Sequence, residues 1–140
     1  FKGEVVIASS DGLGFKINTE KLIAATRSGK KVFHLNESQK AKALTICDKE
    51  YLAVTGSNRK MLVFSLSELP ELNKGKGVIL QRYKDGYLED IKSISKSEGL
   101  YWKLSGGRQR TEKDILFWIG KRGGVGKLVP NGFPRPPKFD

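Results

Sequence analysis

The chain repeats itself, and that repetition limits what it can fold into more than any other feature. The run Val5-Val6-Ile7-Ala8-Ser9-Ser10-Asp11-Gly12-Leu13-Gly14-Phe15-Lys16-Ile17 reads as strand, polar turn, strand. Leu52-Ala53-Val54-Thr55-Gly56-Ser57-Asn58-Arg59-Lys60-Met61-Leu62-Val63-Phe64 reads the same way. A basic glycine segment follows each hairpin: Arg27-Ser28-Gly29-Lys30-Lys31-Val32, then Asn73-Lys74-Gly75-Lys76-Gly77-Val78. Gly29 recurs as Gly75 and Val32 as Val78, a period of about 46. A further strand closes each unit, Ala43–Cys47 and then Ile91–Ile94. A third unit opens at Gly99-Leu100-Tyr101-Trp102-Lys103-Leu104, with Ser105-Gly106-Gly107-Arg108 as its turn.

About four short strands per unit at this period is the size of a propeller blade. So small a unit cannot cover both faces of its sheet and needs neighbours. The expected class is therefore all-β, with propeller-like blades over 1–48 and 49–96 and part of a third from 99. Two blades and a fraction fall short of the usual four to eight or so. The chain begins at Phe1 and enters the apolar run at Val5 almost at once, so the expectation is either further blades upstream or a fragment that completes itself in some other way. Residues 105–140 depart from the repeat. Thr111-Glu112-Lys113-Asp114 resembles a helix start, and Ile115, Leu116, Trp118 and Ile119 follow at helical spacing. Pro130, Pro134, Pro136 and Pro137 then predict an extended end.

Charge narrows the partner. The 140 residues carry 26 Lys and Arg against 15 Asp and Glu, a net charge of +11. A surplus of that size on a small domain points to a polyanion, nucleic acid first. A single Cys47 leaves no internal disulfide, and a single His34 no site needing two. No apolar run approaches the ~18 residues of a membrane span and no signal peptide stands out, so a cytoplasmic location is expected.

Nothing in the sequence points to chemistry. Gly123-Gly124-Val125-Gly126-Lys127 invites comparison with a phosphate loop, but Lys121 stands where the first glycine belongs and Leu128 where a magnesium-binding hydroxyl belongs. It reads instead as a basic, flexible loop. The carboxylates form no pair at motif spacing. The basic glycine segments carry the stronger signal. In a radial repeat, equivalent positions share one rim, so Arg27, Lys30 and Lys31 would be repeated by Lys74 and Lys76 at regular intervals. Arg59 and Lys60 at a hairpin tip, with Arg82 and Lys84, would add to that rim. Such a rim holds duplex DNA by its phosphates and reads little sequence. Phe15, Phe33 and Phe64 fall in strand alternation and read as core; of the neighbours Tyr101 and Trp102, one should be exposed.

Val54-Thr55-Gly56, Lys60 to Phe64 and Leu69-Pro70-Glu71-Leu72-Asn73-Lys74-Gly75-Lys76-Gly77-Val78 resemble a blade of the C-terminal domain of type IIA topoisomerase A subunits, the gyrase and topoisomerase IV family. Ser10-Asp11-Gly12 with Arg27 to Val32 resembles the blade before it. The ending Trp118-Ile119-Gly120-Lys121-Arg122, with Asn131-Gly132-Phe133-Pro134-Arg135 and Lys138-Phe139, is similar to the terminus of some topoisomerase IV A subunits. The resemblance implies a β-pinwheel, in which hairpins are exchanged between neighbouring blades, and a positive rim that captures and bends duplex DNA. It implies a parent that cuts one duplex, passes another through and reseals it, serving decatenation, relaxation and chromosome segregation. The resemblance further implies ATP and magnesium on the partner B subunit and the cleavage core, in a heterotetramer of two A and two B subunits. No catalytic residue is implied here; Tyr51, Tyr83, Tyr87 and Tyr101 inherit no nucleophilic role. Gyrase A subunits carry a glutamine-arginine-arginine-glycine-glycine-x-glycine box, for which Asn73-Lys74-Gly75-Lys76-Gly77 reads as the nearest, degenerate match. That favours topoisomerase IV over the alternatives, a gyrase-type wrapping domain or a protein-interaction propeller with a basic rim.

Overall fold

Glu4–Ser9 (β1) and Leu13–Asn18 (β2) are rich in β-branched and aromatic residues, and almost every position is buried or half-buried. Burial on both faces requires a sheet between two other layers. The computed structural model describes residues 3–104 and 106–140 and shows that stack. β1 and β2 pair antiparallel from Glu4↔Asn18 to Ala8↔Gly14. Ala41–Ile46 (β3) joins the other edge of β1. The second unit repeats the plan with Tyr51–Gly56 (β4), Lys60–Ser65 (β5) and Leu88–Ile94 (β7). Leu100–Lys103 (β8) and Gln109–Glu112 (β9) form a third hairpin. Ser105, expected in its turn, lies outside the described residues.

Each four-stranded sheet is completed by a two-residue strand from the following unit. Val78–Ile79 (β6) comes after the second hairpin yet pairs with β2 of the first. Lys127–Leu128 (β10) comes after the third hairpin yet pairs with β5 of the second. The sheet orders are therefore β3-β1-β2-β6 and β10-β5-β4-β7. This is a β-pinwheel arrangement, with mostly β structure as the sequence predicts.

Three apolar layers hold the stack. Val6, Leu52, Val54, Phe64, Leu80 and Ile91 fill the space between the two sheets. Met61, Val63, Trp102, Trp118, Phe133 and Phe139 bind the second sheet to the third hairpin and the tail. Val5, Ile7, Phe15 and Ile17 face away from the second sheet and are covered by Val32, Leu22, Ala25 and Phe33. Phe15 and Phe64 are fully buried, as expected, and Phe33 lies edge-on to Phe15 at 5.5 Å. Trp102 is buried, while Tyr101 is half-buried beneath the Lys92 ammonium.

Two local expectations are corrected. The helix predicted from Thr111 does not form: Thr111 lies in β9 opposite Tyr101. A single 3-10 turn, Leu116–Trp118, is all that follows. The competing partner is β5, because Gly120 N–H donates to Val63 O at 2.8 Å and Ile119 bridges Val63. Helical hydrogen bonding would forfeit that edge and withdraw Trp118 from the core. Conversely, Thr19–Arg27 forms a helix (α1) that the strand repeat hid. Asn18 caps it, its side-chain oxygen accepting from Glu20 N at 2.9 Å and Lys21 N at 3.3 Å. The helix stops at Ser28 and Gly29, where φ reaches 72°.

The tail is extended but bound. Arg59 donates through its two terminal nitrogens to Pro134 O at 2.8 Å and Phe133 O at 3.0 Å. Thr55 hydroxyl donates to Pro137 O at 2.6 Å, and Phe139 N–H donates to Asp90 Oδ2 at 2.9 Å. Burial pushes the Asp90 carboxyl above its ordinary value, and the Phe139 and Ile91 N–H groups pull it part of the way back.

Candidate nucleic-acid interface

The basic segments meet, although in a different relation from the one predicted. Gly75 N–H donates to Val32 O at 2.9 Å and His34 N–H donates to Gly75 O at 2.9 Å. The two segments therefore lie side by side instead of one blade apart on the perimeter. α1 runs along the same side. Together they form a cleft of about 410 Å³ lined by Lys21, Lys30, Lys31, Lys74, Asn73 and Ser28. Arg27 is the exposed last residue of the helix, and Lys76 is exposed just beyond Gly75.

Four lysines from three segments border one solvent-open hollow, with small residues Ala24 and Ala25 on the helix side. Lys21 is held by its ammonium donating to Asn73 Oδ1 at 3.1 Å. Lys30, Lys31 and Lys74 take part in no ion pair among the described residues. Such a concentration of unneutralised ammonium groups suits a phosphate or another compact anion, with open access for a polymer. Sequence reasoning missed Lys21; its signal was the Asn18 cap and the Leu22, Ala24, Ala25 composition that puts the next lysine on a helix.

The other predicted residues are dispersed. Arg59 sits at the second hairpin tip with φ of 63°, and its guanidinium is committed to the tail carbonyls; burial and the nearby Arg135 lower its pKa. Lys60 is half-buried at the start of β5. Arg82 is exposed with Nε donating to Gly123 O at 3.1 Å, and Lys84 is exposed in the turn that follows.

The glycine run 123–126 is also corrected. It leads into a strand, β10, and is tied down: Gly123 N–H donates to Leu80 O at 2.9 Å and Arg82 N–H to Gly124 O at 3.0 Å. Its Arg122 donates to Ile79 O at 2.8 Å and Glu68 O at 3.0 Å. This run is the third copy of the basic glycine segment. It also meets the seven-residue box pattern more closely than Asn73–Gly77: Gly120-Lys121-Arg122-Gly123-Gly124-Val125-Gly126 differs by glycine for glutamine and lysine for the first arginine.

A family model described as the DNA gyrase C-terminal domain, a beta-propeller, matches residues 3–48 and again 50–97. The chain belongs to that family. The A subunit of DNA topoisomerase 4 from Rickettsia bellii is 41% identical over 135 residues, 96% of this chain and 18% of the relative. Its counterpart from Caulobacter vibrioides is 40% identical over 134 residues, again 96% and 18%. The chain therefore spans less than a fifth of these relatives. Among solved structures, the E. coli ParC C-terminal domain shares the fold with a TM-score of 0.77 at 24% identity, covering 96% of this chain and 58% of that one. The DNA gyrase A C-terminal domain follows with a TM-score of 0.69 at 14% identity, covering 89% and 42%. The relatives place the chain with topoisomerase IV A subunits within the family.

Proposed function

We propose that this chain is the DNA-binding C-terminal part of a topoisomerase IV A subunit, where it captures and bends duplex DNA for its parent enzyme. The observation that carries the reading is the cleft where Lys21, Lys30, Lys31 and Lys74 converge. Multiple ammonium groups on an open surface bind a polyanion by releasing its counterions, with little dependence on base sequence. Arg27 and Lys76 extend the same face, and Arg82 and Lys84 belong to the rim of the next blade.

The parent would break, pass and rejoin duplexes with ATP and magnesium held elsewhere, in a heterotetramer of two A and two B subunits on the bacterial chromosome in the cytoplasm. This chain contributes positioning. It brings no carboxylate, histidine or cysteine cluster of metal-binding kind among its described residues.

Affinity for random duplex DNA, measured against salt, tests the reading. Log affinity should fall linearly with log salt. Replacing Lys21, Lys30, Lys31 and Lys74 by Glu, singly, should flatten the slope by about 1 for each phosphate no longer held, uniformly across sequences. Absence of binding at about 50 mM salt, where such contacts are strong, would rule the reading out, and a weakening confined to one sequence would contradict phosphate capture.

A further inference from the structure

His34 is the only histidine in the sequence, and the backbone fixes its place beside the lysine cleft. Phe33 bridges Gly75 in parallel, and His34 N–H donates to Gly75 O at 2.9 Å. Phe33 anchors the segment, edge-on to the buried Phe15 at 5.5 Å. Phe33 and Leu35 are half-buried on either side, while His34 itself is exposed. It lines a second hollow of about 490 Å³ together with Lys31, Phe33 and Leu35. Lys31 borders both this hollow and the lysine cleft, and so joins them.

The imidazole is uncommitted. Among the described residues its ring nitrogens make no hydrogen bond and no ion pair. The charges around it are mostly positive. Lys31 stands three residues before it, and Lys74 and Lys76 flank its backbone partner Gly75. Lys21 and Lys30 border the adjoining cleft. Two carboxylates belong to the neighbourhood. Glu37, three residues on, is exposed and in no ion pair among the described residues. Asp11, at the first hairpin tip, accepts from the Ser9 hydroxyl and the Gln39 amide. Neither is bonded to the ring, so an anion arriving from solvent has no partner of His34 to displace.

Histidine differs from the lysines here in one respect: its charge changes within the physiological range of pH, whereas theirs is constant there. A phosphate brought against the ring favours the charged form. We propose that His34 extends the lysine cleft and holds a phosphate of the bound duplex as an imidazolium, so that capture of DNA takes up a proton. This proton dependence belongs to the site already read as DNA-binding and rests on that reading. The bound phosphate retains the proton to higher pH than solvent does. The added affinity is therefore complete at low pH, where the free ring is already charged, and is lost as pH rises through the range in which the bound ring gives up its proton. Cys47 does not compete in that range, because burial pushes its thiol up to about 11. The carboxyls of Glu4, raised by its hydrogen bond with Glu71, and of Asp90, raised by burial, are the same in every His34 variant, so comparison between variants removes their contribution.

Affinity of the intact A subunit for random-sequence duplex, measured at about 50 mM salt across the histidine range, tests the proposal. Affinity of the unmodified protein should rise about three- to tenfold as pH falls from about 8 to about 6. His34→Gln, which keeps a polar side chain but never becomes charged, should lose that share of the rise. His34→Arg, charged throughout, should bind at about pH 8 as tightly as the unmodified protein does at about pH 6. The slope of log affinity against log salt gives an independent reading: it should be steeper at the lower pH by up to about 1, the share of one phosphate, and His34→Gln should abolish that difference. The ring is exposed and makes no side-chain bond, so both variants should keep the urea midpoint of the parent; should one fail to fold, the other decides. A rise of full size in His34→Gln, or a His34→Arg protein no tighter than the parent at about pH 8, would overturn the proposal and leave the DNA reading standing. Absence of duplex binding at every pH would overturn both.

Discussion

Gly77 and Gly106 have the same kind of backbone, with φ of 84° and 92°, yet they differ in surroundings. Alanine at Gly106 meets open space and suffers only the strain of a left-handed conformation, about 1 kcal/mol. Alanine at Gly77 must push the β6 backbone off Gly14 and should cost about 2–4 kcal/mol. Urea midpoints of the two variants at constant m-value measure the difference. Arg59 makes the companion case. The sequence offered it as a DNA contact because it is a cation at a hairpin tip, but its guanidinium fills two carbonyl acceptors of the tail. Arg59→Met keeps a long, unbranched side chain and removes the guanidinium, and with it those two bonds and one positive charge. Half-exposed charge-assisted bonds of this kind predict a destabilisation of about 1–3 kcal/mol. The salt slope of DNA binding should stay within error, which separates a tail clamp from a phosphate contact.

The strand elements were legible where an apolar, β-branched run is bounded by turn residues, as in Val5–Ile17 and Leu52–Phe64. They were not legible where a strand is two residues long, because β6 and β10 have no period to detect and are defined by the edge they complete. α1 was hidden for a different reason: its Asn18 cap follows a strand with no intervening loop. The false helix at Thr111 came from Ile115, Trp118 and Ile119, whose spacing suits a helix but whose burial is achieved through one 3-10 turn and a bridge to β5. At the site, clustered lysines were legible as a composition, while their meeting in one cleft depended on α1 and on the Val32–Gly75 pairing. The tail is the element whose role most exceeds its pattern. Phe139 is almost fully buried and stacks edge-on against Phe133, which in turn lies 5.0 Å from Trp102. Phe139→Ala should cost about 3–5 kcal/mol. Limited proteolysis should cut first within residues 130–140 of that variant, while the β4–β5 hairpin remains resistant.

Across the whole molecule, the charge that serves binding works against folding. Only three acidic side chains are in ion pairs among the described residues: Glu89 with Lys42 at 3.9 Å, Glu98 with Lys49 at 3.3 Å and Asp140 with Lys92 at 3.6 Å. The pair at Glu98 is largely exposed and contributes little. The surplus of eleven positive charges therefore repels itself across a small body, and the lysine cleft concentrates that repulsion. Ions screen both effects, over a Debye length of about 10 Å at 0.1 M salt. Raising salt from about 50 to about 300 mM should then raise the melting temperature of the free protein by a few degrees, while affinity for duplex DNA falls by about 10³-fold or more if six or so phosphates are held. Charge reversal in the cleft should bring both responses down together: Lys30→Glu with Lys74→Glu lowers self-repulsion at low salt and removes phosphate contacts. Thermal melts and binding isotherms on one salt series would test this coupling. A variant without a DNA salt slope that kept the full stabilisation by salt would show that binding and self-repulsion arise on separate faces.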